Sequence, residues 1–235
     1  MDKLRTLVHL LPGFDWLALG AFVAAWLAYA ALASRHGERR PSVLSSSNRV
    51  RRLWMLQSTH REVRVLDGLV VQNLSGSASF FASTTIFIIG GLLAVLGTTE
   101  QASDLVREIP FAVPTSPLVF DFKVSMLTAI FIYAFFRFTW CIRQYSLGAL
   151  LVAAAPESKD FGDESQRNAF ADRAGRLMGM AAETFNDGVR AYYMAFAVLA
   201  WFISAWAMLA ATATVLAVLY WREFRSQVLQ VLEEI

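Results

Sequence analysis

Four long apolar stretches determine what kind of protein this chain can form. They run from about 14 to 34, 74 to 97, 120 to 142 and 191 to 221, and charged residues within them are few. A helix of about 20 residues crosses a hydrocarbon core of roughly 30 Å, and backbone groups in lipid must be satisfied within their own segment. The sequence therefore predicts an all-α integral membrane protein, a four-helix transmembrane bundle built as a single membrane domain over residues 1–235.

The composition supports this class and excludes others. Hydrophobic residues make up 56% of the chain and charged residues 17%, against about 45–50% and about 25% in soluble domains. A single cysteine, Cys141, excludes a disulfide framework. The net charge of +2 gives no indication of nucleic-acid binding. We expect the lipid bilayer to be the main partner.

The first apolar stretch is predicted to be a true span and not a signal peptide. Lys3 and Arg5 precede it, as in a signal peptide, but the apolar run is longer than the usual 7–15 residues. It ends in Ala33-Ser34-Arg35-His36 with further arginines behind it. This is the pattern of a segment that stops in the membrane.

The distribution of lysine and arginine predicts the orientation. Fourteen lie in segments 35–73 and 143–190, and five lie in the remaining segments outside the spans. Because cytoplasmic loops carry the excess of basic residues, these two segments are predicted to be cytoplasmic. The loop 98–119 is then external, and both termini lie outside the cytoplasm of a bacterial inner (plasma) membrane.

The cytoplasmic segments contain one candidate amphipathic helix. Residues 36–48 hold Pro41 and a run of three serines, which predicts a flexible connection. From Arg49 to about Gln72, apolar residues recur near helical spacing among arginines. Such a helix either lies along the anionic leaflet or docks on the protein itself, and both alternatives are open. A second helix, from Ser165 to about Phe185, is predicted to lead into the fourth span.

Three segments carry a family resemblance. They are Asp67 to Thr85 at the start of the second span, Lys123 with Arg143-Gln144-Tyr145 around the third, and Gly188 to Tyr193 at the entry to the fourth. Their order and spacing resemble domain-of-unknown-function family 599, uncharacterised four-helix membrane proteins of bacteria and plants. The resemblance implies the fold and the topology, and it implies no activity.

Patterns that carry chemistry are absent from the sequence. The histidines, His9, His36 and His60, are far apart, and Cys141 stands alone, so no pair is spaced to hold a metal. Neither a nucleophile elbow nor a phosphate-binding glycine loop is present. We therefore expect no enzyme activity, no cofactor, and no catalytic or metal-binding residues.

A polar cluster is predicted at the cytoplasmic ends of the spans. Its candidate members are Asp67, Gln72, Asn73, Arg137, Arg143, Asp187, Arg190 and Tyr193. Arg137 falls in the inner third of the third span, where it either snorkels to the headgroups or pairs with Asp67, Glu183 or Asp187. The cluster is either a functional surface or a polar collar that anchors the bundle.

Serines recur every four positions in the second span, at Ser75, Ser79 and Ser83. Small residues at this spacing allow close helix packing, and their hydroxyls would also suit the lining of an oligomeric pore. Two functions follow. The first is a homo-oligomer that forms a path for a small ion or solute, and the alternative is a non-catalytic scaffold or accessory subunit of a larger membrane complex.

Overall fold

All regular structure in the described chain is helical. The structure is a computed structural model that describes residues 11–36, 41–99, 101–102 and 116–234. Its helices are α1 (Gly13–His36), α2 (Val43–Ser58), α3 (Val65–Gly97), α4 (Pro117–Ala153), α5 (Glu164–Trp201), α6 (Ala205–Phe224) and α7 (Gln227–Glu233), with a 3-10 turn at Ser158–Asp160. The all-α prediction is confirmed. Most of the predicted external loop 98–119, and His9, lie outside the described residues.

Four helical stretches are long and apolar enough to cross a membrane. They are Gly13–Ala33, Val65–Gly97, Pro117–Ala153 and Ala205–Glu233, which confirms the prediction of a four-helix membrane protein. The second and third stretches are longer than predicted. Gly68 does not interrupt α3, and α4 continues past Ile142 through Gly148, because one glycine in a helix costs only about 1 kcal/mol.

The fourth predicted span, 191–221, is divided between two helices. α5 continues to Trp201, residues 202–204 form a turn, and α6 begins at Ala205. The Ser204 side chain caps the new helix by accepting from the Ala207 amide at 3.0 Å. A run of 31 uncharged residues would form a helix of about 46 Å, well beyond the 30 Å that one crossing needs.

The predicted amphipathic helix is present, with other boundaries. Ser42 and Ser45 form a capping box that starts α2 at Val43, so the serine run predicted to be flexible is the first turn of a helix. α2 ends at Ser58, whose hydroxyl donates to the Met55 carbonyl at 2.7 Å. Residues 59–64 form a connection, and the rest of the predicted helix belongs to α3.

The chain forms two units, each assembled from three segments. The first unit consists of Met1–Arg35, Thr85–Ala134 and Val189–Leu219, and the second of His36–Thr84, Phe135–Gly188 and Tyr220–Ile235. Most of the 21 lysines and arginines belong to the second unit. It also contains α7, which packs against α2.

The core of the second unit is built on one face of α5. Ala171, Ala174, Met178 and Ala181 are fully buried and recur at helical spacing. They pack with buried residues of α2, α3 and α4, among them Met55, Val71, Ala78, Cys141 and Tyr145. In the first unit, Tyr29, Ala33 and Leu219 form a smaller apolar cluster.

Candidate functional site

Asp67 is the most deeply buried acidic residue of the predicted cluster. It lies in the first turn of α3 with its side chain fully buried. Its Oδ1 accepts from the Trp54 indole at 2.7 Å and pairs with Arg61. Within the described chain, its Oδ2 has no hydrogen-bond partner. The arginine and the positive end of α3 offset the burial of this carboxylate, which ties α2 and the connecting loop to α3.

Arg137 of α4 pairs with Asp187 of α5. A close contact beside the pair explains how they meet. A Cβ at Gly188 would lie 2.6 Å from Cε1 of Phe138, whose side chain is fully buried. Glycine at 188 therefore allows α4 and α5 to approach closely, and this approach brings the two charged side chains together. Asp187 was one of the three partners proposed for Arg137 from the sequence.

Two other arginines of the second unit hold the loops that follow α2 and α4. Arg64 donates to the Ser58 carbonyl at 2.9 Å and to the Ala155 carbonyl at 2.9 Å. Arg167 donates to the carbonyls of Thr59 and Ser158. The Ser58, Thr59 and Ala155 carbonyls lie at or just after helix C-termini, where a cation satisfies free acceptors and the negative end of the helix dipole. Both guanidinium groups thus stabilise the arrangement of the loops.

A groove lies between α2 and α5, and we call it the α2–α5 groove. Its lining is Asn48, Arg49, Arg52, Asp172, Gly175, Arg176, Gly179, Met180 and Glu183, and its volume is about 740 Å³. A Cβ at Gly175 would lie 2.9 Å from Cα of Arg52. A Cβ at Gly179 would lie equally close to the Asn48 amide oxygen. These glycines set the close crossing of the two helices beside the groove.

Arg51, which lies next to Arg52 on α2, points to the core. Arg51 donates to the Asn48 amide oxygen at 2.9 Å. Burial lowers the pKa of Arg51 from its ordinary value, and the nearby Tyr145 partly opposes this effect. An arginine pKa is so high that the group stays charged at neutral pH. Arg51 therefore positions Asn48 on the wall of the groove.

In the first unit, a buried lysine caps the turn between α5 and α6. Lys123 of α4 donates to the Trp201 carbonyl at 2.8 Å, and its ammonium lies 5.1 Å from the centre of the Trp201 ring. The Trp201 indole donates to Asp15 of α1 at 2.6 Å. Lys123 and Trp201 are both almost fully buried. A cation at a helix C-terminus is favourable, and here it satisfies a carbonyl that the turn leaves free.

The family model described as "Protein of unknown function, DUF599" matches residues 17–228 of the chain. The chain belongs to the DUF599 family. No curated protein and no solved structure matches it. The family match confirms the resemblance drawn from the three sequence segments, and it assigns no activity.

The segments that carry the DUF599 resemblance fall in both units. Residues 67–84, together with Gln144 and Tyr145, belong to the second unit, whereas Thr85 and Lys123 belong to the first. Gln144 and Tyr145 are buried. Asp67, Lys123 and Tyr145 thus contact other residues inside their own units.

The remaining members of the predicted cluster lie in different settings. Gln72, Asn73 and Arg143 are exposed. Arg190 and Tyr193 belong to the first unit, where the Arg190 guanidinium lies 5.6 Å from the centre of the Tyr29 ring. A functional role for this cluster stays a prediction.

The serines of α3 differ among themselves. Ser75 and Ser79 are half-buried, and the Ser79 hydroxyl donates to the Ser75 carbonyl at 3.0 Å. Ser83 is exposed, while Ala78 and Ala82 form the buried side. The packing side within the chain is therefore the alanine side, and the outward side of α3 carries Gly76, Ser77 and Ser83.

Several contacts of the site were not predicted from the sequence. The Gly175-x-x-x-Gly179 spacing is a signal for a close helix crossing that could have been recognised. Trp54 and Arg61 are the partners of Asp67. No sequence pattern indicated these contacts, because the connection at 59–64 sets their position. Among the described residues, no group of three or more His, Cys, Asp or Glu side chains is arranged to hold a metal.

Proposed function

We propose that the protein works as a homo-oligomer in the bacterial inner membrane, with α3 helices of several copies lining a path for a small ion or solute. The observation that carries the proposal is the outward side of α3. Of the four candidate spans, α3 has the smallest buried share and the highest mean hydropathy. Its outward side nevertheless carries glycines and hydroxyl side chains, where lipid contact alone would favour bulky aliphatic residues.

The glycines of α3 support close contact with another molecule. At Gly76, Gly90 and Gly91, the position that a Cβ would occupy has no atom from another part of the chain within 4 Å. A glycine inside a helix costs about 1 kcal/mol relative to alanine. No contact in the described chain offsets this cost. A second helix that approaches the backbone closely would offset it, as small residues do at membrane helix interfaces.

Large and small residues alternate on the same side of α3. Gly76, Phe80, Ser83, Phe87 and Gly90 follow one another at spacings of four and three and are all exposed, Phe80 to 67% and Phe87 to 80%. This spacing brings a seam of side chains onto one helix face. Copies inserted in the same orientation present parallel α3 helices. Each copy then offers both a ring and a space for a ring, as a self-complementary interface requires.

A polar row beside this seam would line the path. Asn73 and Ser77 are exposed, and Thr84 is partly exposed. The Ser77 hydroxyl donates to the Asn73 carbonyl at 3.3 Å and the Thr84 hydroxyl to the Phe80 carbonyl at 2.9 Å. Such side chains offer dipoles without a fixed charge that would trap an ion. In the described chain, Arg137 and Lys123 are already bonded to Asp187 and to Trp201, which favours a path between copies over a charge relay within one.

The proposal gives the protein no catalytic role and no cofactor. It also adds a fifth crossing to the four candidate spans: the end of α5, whose uncharged part 191–201 is only about 16 Å long, crosses before the turn at 202–204. The turn at 202–204 supports this revision, as does the packing of α7 against α2, a helix assigned to the cytoplasm by its arginines. The N-terminus would then be external and the C-terminus cytoplasmic.

The path can be tested by thiol accessibility in a Cys141→Ala background. Single cysteines replace Ser77 and Thr84, and Ala217→Cys on the exposed side of α6 serves as the control in lipid. We expect water-soluble thiol reagents to modify the first two in sealed proteoliposomes and to lower ion flux. The control should stay unmodified. Equal protection of all three positions would exclude an aqueous path along α3.

Assembly is tested separately with Gly90→Leu. A leucine in the seam should shift the protein to smaller species in mild detergent, measured by light scattering after size exclusion. Ala217→Leu adds the same kind of side chain at an exposed position of α6 and should leave the assembly unchanged. A parent protein that purifies as a monomer would contradict the proposal. Recovery of the parent in one defined complex with a different membrane protein would support the scaffold alternative instead.

A further inference from the structure

The α2–α5 groove combines cations, one free carboxylate and an apolar side chain. Its volume of about 740 Å³ lies within the range of small-molecule sites, roughly 300–1,000 Å³. All of its lining residues belong to the second unit. The groove is therefore defined by one unit alone, and the path proposed for α3 does not involve it.

The arginines of the groove differ in what they already bind. Arg52 pairs with Asp172 and donates to the Asn168 amide oxygen at 3.3 Å. Arg49 uses one nitrogen to donate to the Leu232 carbonyl at 3.1 Å. Arg176 makes no hydrogen bond and no ion pair with any residue in the described ranges. Arg49 and Arg176 thus leave guanidinium donors free for a ligand.

The groove also contains a carboxylate that an ordinary anion site would avoid. Glu183 is exposed, and in the part of the chain that the structure describes it forms no ion pair. It lies seven residues after Arg176 on α5, about 10 Å along the helix and on the same side. Between them, Met180 is 54% exposed. A purely anionic ligand would be attracted by the arginines and repelled by Glu183.

We infer that the α2–α5 groove binds a phospho-amine, a molecule with a phosphate and a primary ammonium group. The guanidinium groups of Arg49 and Arg176 bind the phosphate oxygens, since their planar donors match that geometry. The Glu183 carboxylate binds the ammonium group. Met180 contacts the carbon chain of the ligand. The ethanolamine phospholipid headgroup and its soluble glycerophosphate form share this chemistry.

The position of the groove along α5 brings its Glu183 end closest to the headgroups. Glu183 precedes the apolar stretch that starts at Ala191 by eight residues, about 12 Å of helix. The headgroup layer extends about 5–8 Å beyond the hydrocarbon core on each side, so Glu183 lies just beyond its outer edge along a helix normal to the membrane. A soluble phospho-amine reaches the same groove from water, so the test must separate the two sources.

Binding is measured for the full chain in two arms. The first arm uses native mass spectrometry on protein released from nanodiscs of phosphatidylethanolamine and phosphatidylcholine, with phosphatidylglycerol as the anionic competitor. The second arm titrates soluble glycerophosphoethanolamine by calorimetry. We expect retention of phosphatidylethanolamine over both other lipids. Binding in the lipid arm alone assigns the groove to the headgroup, and binding in both arms assigns it to either source.

Matched variants decide whether the groove is responsible. Arg176→Ala should weaken phospho-amine binding about tenfold, the usual order for a lost charge-assisted contact. Arg173→Ala removes an exposed arginine of α5 outside the lining and should have no effect. Glu183→Gln should reverse the preference, so that phosphatidylglycerol is retained over phosphatidylethanolamine.

Three results would overturn the inference. They are an absence of binding by the parent protein in both arms, equal losses in Arg176→Ala and Arg173→Ala, and an unchanged lipid preference in Glu183→Gln. Thermal unfolding of each variant distinguishes loss of the site from loss of the fold. None of these variants changes α3, so failure here leaves the proposed path untouched, and failure of the path leaves the groove untouched.

Discussion

Glycine has two different roles in the helices of this protein, and neighbouring atoms distinguish them. At Gly148, Gly175, Gly179 and Gly188 an added Cβ would approach other side chains or backbone to 2.9 Å or less. At Gly76 and the other glycines of α3 it would meet nothing. The first group lies at close contacts within the chain, and the second does not.

Gly188→Ala tests this distinction directly. The added methyl group would meet Phe138, which is enclosed by Phe81 and Phe185 and has little room to move. We expect the free energy of unfolding to fall by about 1–3 kcal/mol, as for other overpacked sites. Gly20→Ala on α1, where a Cβ meets nothing, should be neutral or stabilising. Thermal unfolding in detergent measures both variants, and equal behaviour would contradict the distinction.

Single residues were predictable where spacing along a helix fixed their depth. Arg137 and Asp187 both lie near the ends of predicted apolar stretches, and they form a pair. Asp67 was placed at the same level, but its partners are Trp54 and Arg61. A turn of six residues decides that contact, and hydrophobic periodicity carries no information about its direction.

The presence of the helices was predictable from the sequence, but their first and last residues were less so. The three-serine run after Pro41 has the composition of a linker, yet Ser42 and Ser45 satisfy each other's backbone groups and begin α2. The break at 202–204 contains neither glycine nor proline. Its physical basis is the contact of the Trp201 carbonyl with Lys123, which joins residues far apart in sequence.

Lys123→Met tests the capped turn between α5 and α6. Without the ammonium group, the Trp201 carbonyl is left without a partner in an apolar environment, which costs about 1–3 kcal/mol. We expect a lower unfolding temperature and faster modification of a cysteine placed at Ile203. Lys159→Met, at a lysine side chain that is 77% exposed, is the control. An unfolding temperature that is the same in both variants would show that the cap is dispensable.

At the scale of the whole molecule, the number of crossings determines where the C-terminus lies. The sequence prediction of two external termini depended on one crossing after residue 190. The structure has two helices in that region, α5 and α6, and α7 packs against α2. If α2 is cytoplasmic, as its arginines indicate, the C-terminal helix is cytoplasmic with it.

Impermeant thiol labelling of sealed vesicles tests this topology. Gln57 of α2 and Gln230 of α7 are exposed, as is Gln101 in the segment that follows α3. Single cysteines at Gln57 and Gln230 should react from one face, and a cysteine at Gln101 from the opposite face. If the cysteine at position 230 reacts from the same face as the cysteine at position 101, the protein has four crossings and both termini are external.

The cap on the α5–α6 turn also has a consequence during synthesis. Lys123 enters the membrane with α4, but the carbonyl that receives it belongs to a residue 78 positions later. At roughly 5–20 residues per second, the ribosome needs about 4–16 s to supply that carbonyl. During this interval α4 carries an unsatisfied ammonium group, which disfavours its release into lipid. The buried ammonium group of α4 therefore obtains its carbonyl partner only after α5 has been synthesised through Trp201.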